Sequence, residues 1–243
     1  MNILVTIMFD GTGYHGWQFQ KNSSSVQEEV SKAIDTVFNT HIDIHGCSRT
    51  DAGVHANKFC FNFISDNPSF DITRLPRALN SLMPYDISAI SAEQVPDDFH
   101  ARYSCKAKEY EYLIWNDFYR NPFYITKAFF YPKKLDAVSL NSICNKFTGT
   151  NDYASFMSDG SDIIDTVRTV HYFTAEQEGS LIKFKICANG FLYNMVRILV
   201  GTVCDIYHQR ITATPEQIIN EKCRKKAGFT APAHGLYLNK IIY

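Results

Sequence analysis

The chain of 243 residues has no apolar run near the eighteen or so residues that a membrane-spanning helix needs. Its first ten residues end in Asp10 and show no small-residue cleavage pattern, so no secretory signal is expected. None of its seven cysteines forms a C-x-x-C pair, and their number is odd. That argues against a zinc site and a full disulfide framework, and it fits reduced thiols in the cytosol. An excess of charge is missing too: 24 Lys and Arg face 25 Asp and Glu, a formal net charge of −1. Bulk electrostatics therefore make no case for a nucleic-acid partner. Local clusters reopen the question. Lys222, Arg224, Lys225 and Lys226 lie together, Lys106 and Lys108 flank a strand, and Lys133 and Lys134 sit in a turn. Among many Tyr and Phe, such clusters either track a phosphate backbone or form an ordinary solvated face.

The hydrophobic patterning shows two passes of one plan. Residues 3–9 read as a strand and 25–38 as an amphipathic helix opened by the capping box Ser25-x-x-Glu28. Strands at 42–47 and 58–64 follow, then a helix near 72–82 and a strand at 87–95, giving β-α-β-β-α-β, the ferredoxin-like order. The second pass has a strand at 106–115, a helix near 135–147, and paired strands at 166–175 and 181–187 around Glu178-Gly179-Ser180. A helix at 193–207, a shorter one after Pro215 and a strand at 236–242 complete it. The expected fold is α+β, with two tandem ferredoxin-like halves, residues 1–103 and 104–243, joined through Pro96–Tyr103. A cleft between such halves is the natural ligand site.

Two loops carry candidate chemistry. Gly11-Thr12-Gly13-Tyr14-His15-Gly16 matches G-x-G-x-x-G after a strand, which invites a dinucleotide reading. The context argues otherwise, because eight residues, 17–24, separate the motif from the helix that should receive the pyrophosphate. The glycines are expected instead to make a tight loop that lets Tyr14, Trp17 and Gln18 approach something flat. The other loop is Gly46-Cys47-Ser48-Arg49-Thr50-Asp51-Ala52-Gly53-Val54-His55-Ala56, with the carboxylate of Asp51 between two strands and beside Arg49. A charged loop residue next to glycine is a good functional candidate, and an Asx turn is the plain structural alternative.

Several blocks resemble the tRNA pseudouridine synthase A (TruA) family. They are Phe9-Asp10-Gly11-x-x-Tyr14-x-Gly16-Trp17-Gln18, Ser25-Val26-Gln27, Arg49 to Ala56, and Asp98-Phe99-His100-Ala101-Arg102. Further on come Lys108-x-Tyr110-x-Tyr112, Phe191-x-x-x-Met195-Val196-Arg197-x-x-Val200-Gly201 and Gly235-Leu236-Tyr237-Leu238. They follow the family's order along essentially the whole chain. The resemblance implies two ferredoxin-like halves whose antiparallel sheets join into one extended sheet, with helices on one side. It implies an isomerase that converts uridine to pseudouridine in RNA without metal, nucleotide or other organic cofactor. It further implies a cytoplasmic homodimer acting on positions 38 to 40 of the tRNA anticodon stem-loop.

By the same resemblance, Asp51 is the nucleophile or base that opens the N1–C1′ glycosidic bond. A partly buried carboxylate tends to take up a proton, and Arg197 is the matching cation that keeps it ionised. Tyr110 packs on the flipped uracil and is placed to accept the C5 proton, though it could equally face a core, like Tyr112. Arg49 helps to extrude the base, Leu236 lines the pocket, and Lys21, Arg102, Lys106 and Lys222–Lys226 are loose candidates for RNA backbone contacts. The usual family pattern has glycine where this chain has Ser48; a left-handed backbone there would cost serine roughly 1 kcal/mol. Two readings compete: the same chemistry on another RNA, and an RNA-binding module that does not catalyse. A nucleotide-cofactor enzyme built on the glycine loop is a third, which nothing else in the chain favours.

Overall fold

Strand β1 (Asn2–Phe9) buries nearly every residue, and β3 (His55–Ile64) buries both faces over Phe59–Phe63. On one face Phe63 meets Phe38 edge-on at 5.4 Å. Phe38 ends helix α1 (Val26–Phe38), whose Val26, Val30, Ala33 and Ile34 are buried at helical spacing. On the other face Cys60 and Asn62 are also buried. The computed structural model describes residues 1–67, 69–161 and 163–243. In these the chain forms two compact units: Met1–Lys106 with Tyr237–Tyr243, and Ala107–Leu236.

The first unit runs β1, α1, β2 (His45–Gly46), β3, α2 (Leu75–Asn80) and β4 (Ile87–Val95). Its strands lie in the order β4–β1–β3, antiparallel throughout, and β2 pairs antiparallel with β3. This is the split β-α-β arrangement expected from the element order. One strand is added: β10 (Leu236–Ile242) runs parallel to the start of β3, with Tyr237 opposite His55 and Leu238 opposite Ala56. The expected boundary, which gave residues 104–243 to the second half, therefore misses that residues 237–243 group with the first unit. The pairing with β3 is the physical reason.

The second unit runs β5 (Ala107–Trp115), β6 (Phe129–Phe130), α3 (Ala137–Asn145), β7 (Gly149–Asp152), β8 (Val167–Glu178) and β9 (Leu181–Ala188). Helices α4 (Met195–Tyr207) and α5 (Pro215–Glu221) follow. The antiparallel order β5–β9–β8–β7 places β9 between β5 and β8, the strands joined through α3, so the split arrangement recurs. Helix α4 is buried almost all round, as its apolar sequence requires.

Local differences from the expected elements have local causes. The strand expected over 42–47 shrinks to two residues, because the amide of Ile42 is already taken by Asp35 at 2.9 Å. Strand β3 starts three residues early, where His55 and Ala56 gain partners in β10. The capping box at α1 is half made: Ser25 Oγ accepts from the Glu28 amide at 3.3 Å, while the Glu28 carboxylate pairs with Lys32 at 2.9 Å. The next free amides of α1, on Val26 and Gln27, donate to the carbonyls of Gly16 and Trp17. The helix start thus fastens the glycine loop. Pro96–Tyr103, expected as a connector, is tied into the first unit. Buried Asn2 donates to the carbonyls of Pro96 and Phe99, and buried Asn62 accepts from the Ala101 amide at 2.8 Å.

Candidate active site

The Asp51 loop leaves β2 and re-enters β3 through a turn in which the Val54 amide donates to the Asp51 carbonyl at 3.2 Å and Gly53 has φ +76°. Thr50 is buried, and its hydroxyl accepts from the Trp17 amide at 3.1 Å. The Gly53 amide donates to the Tyr14 carbonyl at 3.2 Å. The two loops lie backbone against backbone. A Cβ on Gly16, at φ +89°, would sit 2.1 Å from the Thr50 carbonyl oxygen, and one on Gly11 would sit 2.0 Å from that of Val54. Gly13 has open space. So the first and last glycines of G-x-G-x-x-G press on the Asp51 loop. Asp51 itself is half-buried.

The expectation that Tyr14, Trp17 and Gln18 face a flat ligand is corrected for two of them. Trp17 is buried and stacks on Phe59 at 4.1 Å, with its indole edge over Gly46. Tyr14 is buried and donates to Asp86 at 2.7 Å. Only Gln18 is exposed. Behind the loop, His55 is buried under Tyr237, ring centroids 4.6 Å apart. Its Nδ1 lies 3.0 Å from both the Gly11 amide nitrogen and Asp10 Oδ1. One nitrogen either accepts from the amide or, protonated, donates to the carboxylate.

Ser48 is absent from the positive-φ residues, so the strain considered for a serine there does not arise. Arg49 is exposed and lines a cleft of about 270 Å³ together with Ser48, His45, His100, Arg102 and Tyr103. The structure thus brings Arg49 and Arg102 to one cleft, while Lys21 stands exposed at the tip of the turn closed by the Gln20–Ser23 bridge.

In the second unit, Arg197 sits in the first turn of α4, and its guanidinium is held on two sides. Nε donates to the Ala231 carbonyl at 2.7 Å and one terminal nitrogen to Asn194 Oδ1 at 2.6 Å. The Ala231 amide returns a bond to the Arg197 carbonyl at 3.1 Å. Asn194 precedes the helix at φ +62°, and its amide group donates to Ser158 at 3.0 Å. The segment carrying Ala231 crosses α4 where Gly201 leaves room: a Cβ there would lie 1.9 Å from the Phe229 carbonyl oxygen. Tyr110 is buried and meets Phe191 edge-on at 5.1 Å. Tyr112 is wholly buried and donates to the Pro232 carbonyl at 2.7 Å. Burial raises its pKa well above the ordinary phenol value, which makes it a core hydrogen-bond donor. Leu236 is buried and follows Gly235, where a Cβ would press on the Tyr112 ring at 2.7 Å.

With this geometry in view, the chain's relatives are informative. A family profile described as tRNA pseudouridine synthase matches residues 5–104 and 143–243. The chain belongs to the tRNA pseudouridine synthase family. A protein named tRNA pseudouridine synthase A from a Thermoanaerobacter species is 42% identical, covering 100% of this chain and 99% of the relative. The same figures hold for its namesake from Acetivibrio thermocellus. Among solved structures, the archaeal box H/ACA sRNP Nop10–Cbf5 complex aligns with a TM-score of 0.37 at 14% identity. That match covers 84% of this chain and 42% of the other, and is too distant to carry an argument. Membership makes the protein an isomerase that converts uridine to pseudouridine. Among the described residues no His, Cys, Asp or Glu group is arranged to hold a metal ion, and no helix is long and apolar enough to cross a membrane.

Reading the sequence missed three supports of this tRNA pseudouridine synthase. Asn194 lay inside a quoted block but between its marked positions; its signal is an Asn directly before an apolar helix. Asn2 and Asn62 are polar residues at buried strand positions, a pattern that calls for partners. The third support is the ring cluster of His45, His100 and Tyr103, which only the meeting of two distant segments reveals.

Proposed function

We propose that this synthase acts on uridines 38 to 40 in the anticodon stem-loop of tRNA, in the cytoplasm and as a homodimer, with Asp51 beginning the reaction. The N1–C1′ bond breaks, the uracil turns, and a C5–C1′ bond forms. C5 loses its proton and N1 gains one, so the product is an isomer and no atom is left over. Asp51 acts as nucleophile or base, and Arg197 is the fixed cation that keeps it ionised. Tyr110 packs on the uracil and accepts the C5 proton, and Leu236 supplies apolar lining. Arg49 assists extrusion of the base, and Arg102 and Lys21 meet the RNA backbone.

The observation that carries this reading is the half-buried Asp51 on a loop whose backbone is fixed from both sides by residues 11–17. The test is tritium release from tRNA transcripts carrying [5-³H]uridine. Wild type should release tritium, and Asp51→Asn should lose at least about 100-fold, the low end of what a positioned acid–base group contributes. Release by Asp51→Asn at the wild-type rate would remove Asp51 from the chemistry. Mapping the modified nucleotides then decides positions 38 to 40 against another RNA target, and sedimentation decides the dimer.

A further inference from the structure

The cleft beside the Asp51 loop contains an aromatic ladder. His45 stacks on His100 with centroids 4.9 Å apart and 23° between planes, and Tyr103 continues the stack at 4.4 Å and 38°. Tyr103 is 77% exposed, a large ring left in water. The Arg102 guanidinium lies 5.9 Å above that ring, and Arg49 lines the same cleft. These residues come from two segments far apart in the sequence, one leading into the Asp51 loop and one following β4.

The middle of the ladder is anchored. Both backbone groups of Ala101 are fastened inside the first unit, the amide to Asn62 at 2.8 Å and the carbonyl to the Tyr243 hydroxyl at 3.0 Å. The His100 amide donates to Ser104 at 3.0 Å, and the His100 Nδ1 accepts from the Arg102 amide at 3.1 Å. That last bond fixes the ring's orientation, with Nδ1 as an acceptor. Burial, then the neighbouring charge of His45, lowers the pKa of His100, so its ring stacks as a neutral imidazole at pH 7. A net charge of −1 gives no general attraction for RNA, so affinity must come from local features of this kind.

We infer that this cleft is a stacking subsite for one unpaired nucleobase flanking the target uridine, with its phosphates met by Arg49 and Arg102. Exposed aromatic faces bordered by arginines bind single-stranded bases with little regard to identity, because every base offers a π-face. At about 270 Å³ the cleft lies at the small end of ligand sites and admits one base. The flanking position follows from the chain: Ser48 and Arg49 in the cleft are three and two residues from Asp51. This placement rests on the assignment of Asp51 to the target uridine, whereas the stacking itself does not.

The test uses full-length Tyr103→Ala, Tyr103→Phe and His45→Ala proteins on [5-³H]uridine tRNA transcripts, intact or abasic at single positions around the target. Tyr103→Ala should raise KM roughly 5- to 100-fold, the loss of one stacked base, with the change falling in KM rather than kcat. Tyr103→Phe should restore the wild-type KM, since the ring face and not the hydroxyl is used. For wild type, one abasic position should raise KM by a similar factor, and Tyr103→Ala should add nothing further to it. A KM within about twofold of wild type for Tyr103→Ala, or penalties that add at every abasic position, would overturn the subsite. If Asp51→Asn retained tritium release, the assignment of Asp51 would fail while the KM comparison still decided the ladder. If wild type released none, Kd for the same transcripts would replace KM, with the same two outcomes.

Discussion

The two units fix their key side chains by different means. In the first, the Asp51 loop is fixed through its backbone: carbonyls of Thr50 and Val54 lie where Cβ atoms of Gly16 and Gly11 would be, and amides of Trp17 and Gly53 complete the contact. In the second, Arg197 is fixed through its side chain, held by the Ala231 carbonyl and by Asn194. The difference suits the chemistry. For the role proposed for Asp51, a backbone fixed by its neighbours sets where the carboxylate can reach. A guanidinium has five donors, can give two to the scaffold, and remains charged throughout.

This contrast can be broken most sharply at Gly16. Gly16→Ala places a methyl 2.1 Å from a carbonyl oxygen at positive φ, and should cost about 3 kcal/mol or more in urea denaturation, with tritium release falling alongside. Gly13→Ala, in the same motif but in open space, should stay within about 0.5 kcal/mol. Equal costs at the two sites would mean that close approach does not hold the loop.

At Asn194 the expected loss falls on activity first. If Arg197 has the role proposed for it, Asn194→Ala should slow tritium release roughly 10- to 100-fold by freeing its guanidinium, the usual cost of misplacing a positioned group. Asn194→Gly keeps the left-handed backbone but lacks the carbonyl partner, so it should be as slow as Asn194→Ala while denaturing later. Recovery of rate in the glycine variant would show that the backbone turn, not the side-chain bond, positions Arg197.

A smaller effect is expected at Tyr112. Tyr112→Phe removes the bond to the part-buried Pro232 carbonyl, which should cost about 1 kcal/mol in thermal unfolding. The smallest lies at Asp152, which accepts from the Thr166 hydroxyl and pairs with Lys222 at 2.9 Å. The Thr166 bond, then Lys222, hold its pKa below the ordinary carboxylate value. Because the folded pKa is the depressed one, its stabilisation is present above the unfolded value of about 3.9 and is lost as pH falls through the folded one. Asp152→Asn should therefore cost under about 1 kcal/mol at pH 7, a cost that disappears in acid. The Trp17–Thr50 and Gly53–Tyr14 bonds at the Asp51 loop join uncharged backbone and hydroxyl groups and should show no such pH dependence.

Strands β4 and β10 and the element order of the first unit were legible in the sequence, because alternation and turn residues are local signals, whereas the short β6 and β7 were not anticipated. The Asp51 loop was legible as a candidate. What Gly11 and Gly16 touch was not, since close approach of two loops leaves no mark on either alone. Trp17 reads as a ligand-facing residue because an aromatic after glycine looks the same whether it meets a base or Phe59. The place of the last strand was hidden for the same reason: His55 and Tyr237 face each other across a separation that no window of sequence spans.

That last pairing also orders events during synthesis. A ribosome makes residues 1–106 first, then all of the second unit, and only afterwards the strand that lies along β3 and the Tyr237 ring that covers His55. Domains usually fold as they emerge. Here the first unit must wait, with one stretch of β3 unpaired, until the second has been translated. The nascent chain thus exposes an open strand edge for most of its elongation, the interval in which a chaperone or a neighbouring nascent chain has its best chance to bind.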